Sequence, residues 1–371
     1  MSRKLVVTAC GDPGGANALA PVLEQLASDG RVELRNFAYR QGAGILAARN
    51  LAFHPIPSQA PADWCADQLR DLGAHAVLTA TSFNAEEHEK QFIAAAARLG
   101  LPSIAVLDFW SSYGSRFADA QGRLRYVPDR IAAMDDTARQ GLIEAGIAAE
   151  RIAVTGHPGF DAIAARRAAF SQAERQALRR DMGADERGVL VLFASQPLGQ
   201  LYGTDASSPG FRGFDEKAML DAVVPALERF AAARGVALTL IIRPHPREET
   251  DAYAARHSPT IRIRVSKHGD ARACAMAADL VLGMTTMLLV EACHLGVPVI
   301  SLQPGWRGPV SLPELPGIRV VQRYDDIAAT LEVELEPIAA GEKRRVLAGP
   351  RGSRPGAASA VVRLVYDALQ L

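Results

Sequence analysis

The sequence predicts an α/β fold: two doubly wound, Rossmann-like domains with a deep cleft between them. Three observations predict the two-domain α/β part. The chain has 371 residues, and roughly 150 residues per domain makes about two domains. Short runs of branched residues alternate with longer stretches of helical spacing, which implies βαβ units and parallel sheets. The alternation occurs twice, on either side of an arginine-rich helical stretch.

In the first half, residues 5–9, 32–37, 76–79, 103–107, 131–134 and 152–154 read as strands. Each is short, rich in branched residues and bounded by Gly, Pro, Asp or Ser. Residues 17–27, 85–99 and 136–145 read as helices, with Asp136 suited to cap the last and Gly146 to stop it. Residues 161–182 are helical and polar (Arg166, Arg167, Arg175, Arg179, Arg180) and read as a solvated connector, not a nucleic-acid patch. The second half has strands at 189–193, 238–242, 261–265, 280–282 and 299–302. A long loop covers 195–213, and helices are expected at 216–233, 271–277, 287–295, 325–331 and 357–369. Proline and glycine mark 303–317 and 348–356 as loops. The expected division is a first domain over 1–160, a helical linker over 161–185, a second domain over 186–350, and a C-terminal helical segment over 351–371.

Composition excludes several classes. Apolar residues are 49% and charged residues 22%, as in an ordinary globular protein and unlike a disordered or collagen-like chain. Lys plus Arg is 41 and Asp plus Glu is 41, so no bulk attraction for nucleic acid or an anionic membrane is expected. The cysteines Cys10, Cys65, Cys274 and Cys293 form no C-x-x-C pair and read as buried thiols of a reducing compartment. No run approaches the ~18 apolar residues of a membrane helix, so no transmembrane segment is expected. The apolar run after the basic start is too short for a signal peptide, so the expected location is cytoplasmic.

In doubly wound sheets ligands bind beyond the carboxyl ends of the strands, and a cleft between domains is the default site. The first strand runs into Cys10-Gly11-Asp12-Pro13-Gly14-Gly15-Ala16-Asn17. Glycine lets a ligand approach the backbone, and a helix start offers free amides. A sharp strand-to-helix turn is the plain alternative, but the position after the first strand favours binding through Gly14, Gly15 and Asn17. Asp12 is placed to act as a general base or to hold sugar hydroxyls. Arg243-Pro244-His245-Pro246-Arg247 leaves a strand end with groups that suit phosphate oxygens.

Thr285, Thr286 and Met287 open a helix, where a hydroxyl can cap the helix or join backbone amides around a diphosphate. Glu291 lies in an apolar stretch and needs a partner, for which paired ribose hydroxyls are suited. Asp108-Phe109-Trp110 can hold a sugar-like acceptor, or can be an aromatic pair at the edge of the core. Ser195, Gln196, Lys267 and His268 follow strands and can border a nucleotide, and His157 follows the last strand of the first half with a structural role equally open. Glu86, Glu87 and His88 make no H-E-x-x-H pattern, so no metal is expected.

These motifs resemble the GT-B superfamily, meaning nucleotide-sugar glycosyltransferases and non-hydrolysing UDP-N-acetylglucosamine 2-epimerases. Thr155-Gly156-His157-Pro158 is similar to the T-G-[NH]-P turn before the hinge. Ala278-Asp279-Leu280-Val281, then Thr285-Thr286, then Glu291-Ala292-Cys293-His294-Leu295-Gly296-Val297-Pro298-Val299 is similar to A-D-x-[VI] and E-A-x-x-x-G-x-P-V. Arg243 and His245 resemble the R-P-H-P segment of glycerophosphate and capsule-polymer transferases of this fold. The resemblance implies that Thr285, Thr286 and the Met287 amide hold a diphosphate, Glu291 holds ribose, and Arg243 and His245 contact donor phosphates. It also implies that the C-terminal helix crosses back onto the first domain. Two departures stand out. The epimerases carry Ser-Gly-Gly where this chain has Met284-Thr285-Thr286, and murein-type transferases carry a histidine where it has Ala16.

The expected function is therefore metal- and cofactor-independent glycosyl transfer from a nucleotide sugar to an acceptor hydroxyl, such as a surface-polysaccharide or metabolite precursor. Asp12 is the first choice of base and Asp108 the second, with His245 as a further catalytic residue. The expected partners are the donor and the acceptor, with no nucleic acid, and a homodimer is allowed for. An epimerase or hydrolase working without an acceptor, and a non-catalytic nucleotide-sugar-binding protein, are the alternatives.

Overall fold

The computed structural model describes residues 3–58, 60–61, 63–82, 86–208, 210–307, 317–342 and 356–371. The chain divides into two compact units, Met1–Ala162 with Gly352–Leu371, and Ile163–Arg351.

The first unit is built on strands β1 (Lys4–Cys10), β2 (Val32–Ala38), β3 (His54–Pro55), β4 (Ala76–Ala80), β5 (Ser103–Val106), β6 (Arg130–Ala133) and β7 (Ile152–Val154). Its helices include α1 (Pro13–Ala27), α2 (Arg40–Ala48), α3 (Trp64–Asp71), α4 (His88–Leu99) and α5 (Asp136–Glu144). The strands form one parallel sheet in the order β3-β2-β1-β4-β5-β6-β7. Successive side chains of a strand point to opposite faces. Val6 accordingly joins a cluster with Leu19, Leu23 and Leu78, while Val7 joins Phe37, Phe92 and Leu69 on the other face. Both faces are buried, as a sheet covered by helices on both sides requires.

The second unit contains most of α6 (Asp161–Ala169), then α7 (Gln172–Asp181), β8 (Val189–Ala194), α8 (Leu198–Tyr202), α9 (Glu216–Arg234), β9 (Leu238–Arg243) and β10 (Arg262–Val265). It continues with α10 (Ala271–Ala277), β11 (Leu280–Gly283), α11 (Met287–His294), β12 (Val299–Leu302), β13 (Ile318–Val321) and α12 (Asp326–Ala339). Its parallel sheet has the order β10-β9-β8-β11-β12-β13. Phe193, Phe214, Leu227 and Leu280 lie in its core. In both sheets the order reverses beside the first strand, at β1/β4 and at β8/β11, and these are the switch points where a crevice opens.

The last helix, α13 (Ala357–Leu369), belongs to the first unit and packs on α1. Its N-cap is Gly356 at φ 80°, which has no side chain to cap the helix. Asp161 supplies the cap instead, accepting hydrogen bonds from the amides of Ala357 (3.1 Å) and Ala358 (2.7 Å). A carboxylate there also complements the positive end of the helix.

Several local expectations change. Helix α1 begins at Pro13, not at residue 17, so Gly14 and Gly15 form its first turn instead of a loop. Proline is preset for that position, and Asp12 stands before it with extended backbone. The cap of α5 is Asp135, whose carboxylate accepts from the Ala138 amide, because Asp136 is already inside the helix. The 161–182 stretch is two helices, and its arginines are not all solvated. Arg179 is 3% exposed and bonds Asp279 at 3.0 Å, while Arg175 bonds the other oxygen of Asp279. That aspartate also accepts from the Leu190 amide, so the pair fastens α7 to the amino edge of the sheet. Helices α2, α3 and α8 were not expected, and α12 runs well past residue 331. Residue 85 and most of the expected loops at 303–317 and 348–356 lie outside the described residues.

Candidate functional site

In the second unit a pocket of about 410 Å³ opens at the β8/β11 switch point, with Ser195, Arg243, His245, Lys267 and Thr286 in its wall. Each comes from the carboxyl end of a strand or the helix start that follows. Among the described residues two cations and no carboxylate stand in this wall, a lining suited to an anion.

Thr286 is the N-cap of α11, and its hydroxyl accepts from the Leu288 amide at 3.3 Å. Met287 is the first residue of that helix. Gln196 reaches across from β8, its Oε1 accepting from the Thr285 amide (2.6 Å) and hydroxyl (3.3 Å). Arg243 donates to the carbonyls of His268 (2.9 Å) and Gly269 (2.7 Å), fixing the loop that carries Lys267. Arg243 therefore anchors a loop as well as lending charge to the pocket. The His268 side chain is exposed and does not line the pocket.

Below the pocket lies a network that the sequence reading did not single out. Glu248 is 7% exposed and accepts from the His245 amide (2.6 Å), the Ser195 hydroxyl (3.0 Å) and the Tyr253 hydroxyl (2.5 Å). Lys267 donates to the Glu248 carbonyl. Ser195 thus belongs to the floor of the site. The signal that could have found Glu248 is its spacing, three residues after His245, the reach of a reciprocal side-chain-to-amide turn. Burial, with Arg247 and Lys267 nearby, lowers the His245 pKa to about 4. The Arg247 amide donates to His245 Nδ1 at 3.2 Å, so the neutral ring carries its proton on Nε2.

Glu291 has a protein partner, because Arg272 of α10 donates to it at 2.6 Å. The carboxylate in an apolar helix is thereby satisfied without a ribose.

In the first unit, Asp12 follows β1 and stands at the N-cap position of α1 with extended backbone (φ −80°, ψ 148°), its side chain making no capping bond. Asp108 lies close by in the fold, since a Cβ on Gly14 would fall 2.3 Å from Asp108 Oδ2. A Cβ on Gly15 would meet the Ala80 Cβ at 2.7 Å, so tight packing requires both glycines. Asp108 is buried, bonds Arg116 at 2.6 Å and accepts from Thr81 at 3.1 Å. Arg116 was not foreseen, since it comes from the long stretch between β5 and β6. Glu89 was also missed. It is 2% exposed and accepts from the Gly11 amide (2.8 Å), the Tyr39 hydroxyl (2.6 Å) and Ser82, tying together the ends of β1, β2 and β4. Burial raises its pKa above the ordinary carboxylate range. These partners are scattered along the chain, so no local pattern signals them.

His157 is buried with its ring stacked on Phe160 at 4.1 Å, and Phe160 stacks in turn on Trp110 at 6.4 Å. That placement is a core stack beside α1, where a Cβ on Gly159 would fall 3.0 Å from the Asn17 carbonyl. Phe109 touches Trp110 edge-on at 6.2 Å. All four cysteines are buried and none forms a disulfide. Among the described residues no group of three His, Cys, Asp or Glu is gathered as a metal would need.

Solved structures align with the chain over nearly its whole length. UDP-GlcNAc 2-epimerase of Neisseria meningitidis, bound to UDP-GlcNAc, covers 98% of this chain and 100% of its own at 14% identity, with a TM-score of 0.70. HepE of Anabaena in complex with UDP covers 99% and 96% at 15% identity, TM-score 0.60. MurG of Acinetobacter baumannii covers 99% and 100% at 15% identity, TM-score 0.56. The chain has the GT-B fold. No protein-family model and no curated protein matches it. At these identities the likeness concerns the GT-B fold, and the chemistry has to be argued from the side chains. Among the described residues no helix is long and apolar enough to cross a membrane.

Proposed function

We propose that the chain is an enzyme acting on a nucleoside-diphosphate sugar, and that its second unit holds the diphosphate. The observation that carries this reading is the pocket at the β8/β11 switch point, walled by Arg243, Lys267, His245 and Thr286 with no carboxylate among the described residues that line it. A neutral His245 offers an N–H to a phosphoryl oxygen, and the start of α11 adds amides and the positive end of a helix. Donors fixed before the reaction stabilise charge as it develops on a leaving diphosphate.

The finer reading is glycosyl transfer. The acceptor oxygen bonds to the anomeric carbon, the bond from that carbon to the diphosphate breaks, and the acceptor proton passes to a carboxylate of the first unit. Asp12 is preferred because Asp108 is already committed to Arg116. A second reading, 2-epimerisation without an acceptor, is favoured by the higher TM-score of the epimerase alignment (0.70) than of the MurG alignment (0.56).

Calorimetry of the full chain with UDP, GDP, CDP, TDP and CMP, without added metal, tests the pocket. Selective binding of one nucleoside diphosphate is expected, and absence of binding to all five would overturn the reading. Product analysis with the matching nucleotide sugar separates the reactions. Diphosphate release that requires an acceptor means transfer, and conversion of the sugar with no acceptor means epimerisation.

A further inference from the structure

We infer that Glu248 is a positioning residue, which sets the direction in which His245 offers its Nε2–H to the ligand of the pocket. The inference rests on the pocket being an anion site, and it assigns a role to a residue that does not line the pocket itself.

The segment after β9 sets Pro244, Pro246 and Arg247 around His245, and loops of this kind have no sheet to hold them. Here the turn is closed from both sides. The Glu248 amide donates to the His245 carbonyl at 2.9 Å, and the His245 amide donates to Glu248 Oε2 at 2.6 Å. The other oxygen, Oε1, takes the Tyr253 hydroxyl at 2.5 Å, and the single hydrogen of the Ser195 hydroxyl goes either to Oε1 at 3.0 Å or to the Tyr253 oxygen at 2.7 Å. Ser195 follows β8 and Tyr253 is 1% exposed, so Glu248 is moored to the sheet end and to the core. Lys267 holds the Glu248 carbonyl from the loop after β10.

Closing the turn places the Arg247 amide at 3.2 Å from His245 Nδ1. A backbone amide can only donate, so Nδ1 is the acceptor and Nε2 keeps the hydrogen of the neutral ring. His245 then meets a phosphoryl oxygen as a neutral hydrogen-bond donor in one tautomer. The low proton affinity of the ring agrees with this geometry. Losing the Glu248 carboxylate would free the turn, release the Arg247 amide from Nδ1 and leave buried hydroxyls unsatisfied.

The test uses the full chain with ¹⁵N-labelled histidine, the His245 signals being assigned from their loss in His245→Gln. Wild type at neutral pH is expected to show the Nε2–H tautomer. Glu248→Gln, which keeps an oxygen for the His245 amide, should retain that tautomer and bind the selected nucleoside diphosphate within about threefold of wild type. Glu248→Ala and the shorter Glu248→Asp should show averaged tautomers and bind about tenfold or more weakly, the loss expected for one hydrogen bond to a charged group. If Glu248→Ala fails to fold, the contrast of Gln with Asp decides. An unchanged tautomer in Glu248→Asp, or loss of the tautomer in Glu248→Gln with Asp intact, overturns the inference. If wild type binds no nucleotide, the functional reading fails, and the tautomer comparison alone still decides the role of Glu248.

Discussion

The two sheets end in opposite chemistry. At the carboxyl edge of the first unit's sheet, Asp12, Asp108 and Glu89 gather around α1 and its two glycines. At the same edge of the second unit's sheet the pocket wall carries Arg243 and Lys267, and the nearby carboxylate, Glu248, has its oxygens occupied by protein donors. Asp108 and Glu89 are occupied by protein donors in the same way, so the contrast lies between the half-buried Asp12 at one sheet edge and the half-buried Arg243 and Lys267 at the other. Acceptors suit hydroxyls and protons, and donors suit a diphosphate. The charged groups also differ in burial. Asp108 and Arg116 are sealed together, whereas Arg243 and Lys267 are half-buried and line a pocket.

That contrast can be broken most sharply through Arg116. Arg116→Ala strands the buried Asp108 carboxylate and should cost about 3–5 kcal/mol of stability, read by urea unfolding. Lys267→Ala loses one half-buried hydrogen bond to the Glu248 carbonyl and should cost only about 0.5–1.5 kcal/mol of stability, while weakening nucleoside-diphosphate binding by about 1.5–3 kcal/mol in calorimetry. Equal unfolding free energies for the two variants would dissolve the distinction between a sealed and an offered charge. Gly15→Ala tests the packing at the first site. Its new methyl would press on Ala80 and should destabilise by about 1–3 kcal/mol, whereas the exposed Gly44, with open space around it, should accept alanine without strain.

Glu291→Ala sharpens the second site. If Glu291 serves ribose as well as Arg272, nucleotide binding should weaken by about 1–3 kcal/mol while the bare diphosphate is unaffected. Equal affinity of wild type and variant for the nucleotide would confine Glu291 to its ion pair with Arg272. The smallest effect is on pH. The folded His245 titrates near 4 and the unfolded near 6.5, so the unfolded chain takes up the proton first as pH falls. Stability should therefore decline between about pH 6.5 and 4, by something on the order of 1 kcal/mol given the partial exposure of the ring. His245→Asn should flatten that part of the stability curve, and a curve identical to wild type would remove His245 as its source.

The α/β alternation was legible in the sequence because strand and helix periods are local properties, set by which side chains must face a core. The same holds for the strand ends and for the motifs after β9 and β11, whose residues are neighbours in the chain. The short helices α2 and α3 were not legible because neither is opened by a side-chain cap and α2 carries Gly42 and Gly44, whereas α5, α10 and α11, which are no longer, follow the capping residues Asp135, Asp270 and Thr286. The caps illustrate the boundary. Asp135 and Asp136 are equally good candidates on paper, and only the backbone angles choose between them. Tertiary structure alone decided the partners of the charged groups. Asp108 finds Arg116 within the irregular stretch between β5 and β6, Glu291 finds Arg272 on another helix, and Asp161 caps a helix 196 residues away. A sequence can show that a buried charge needs a partner, because burial without one is costly, but the choice among many arginines and hydroxyls is made by the folding of distant segments together.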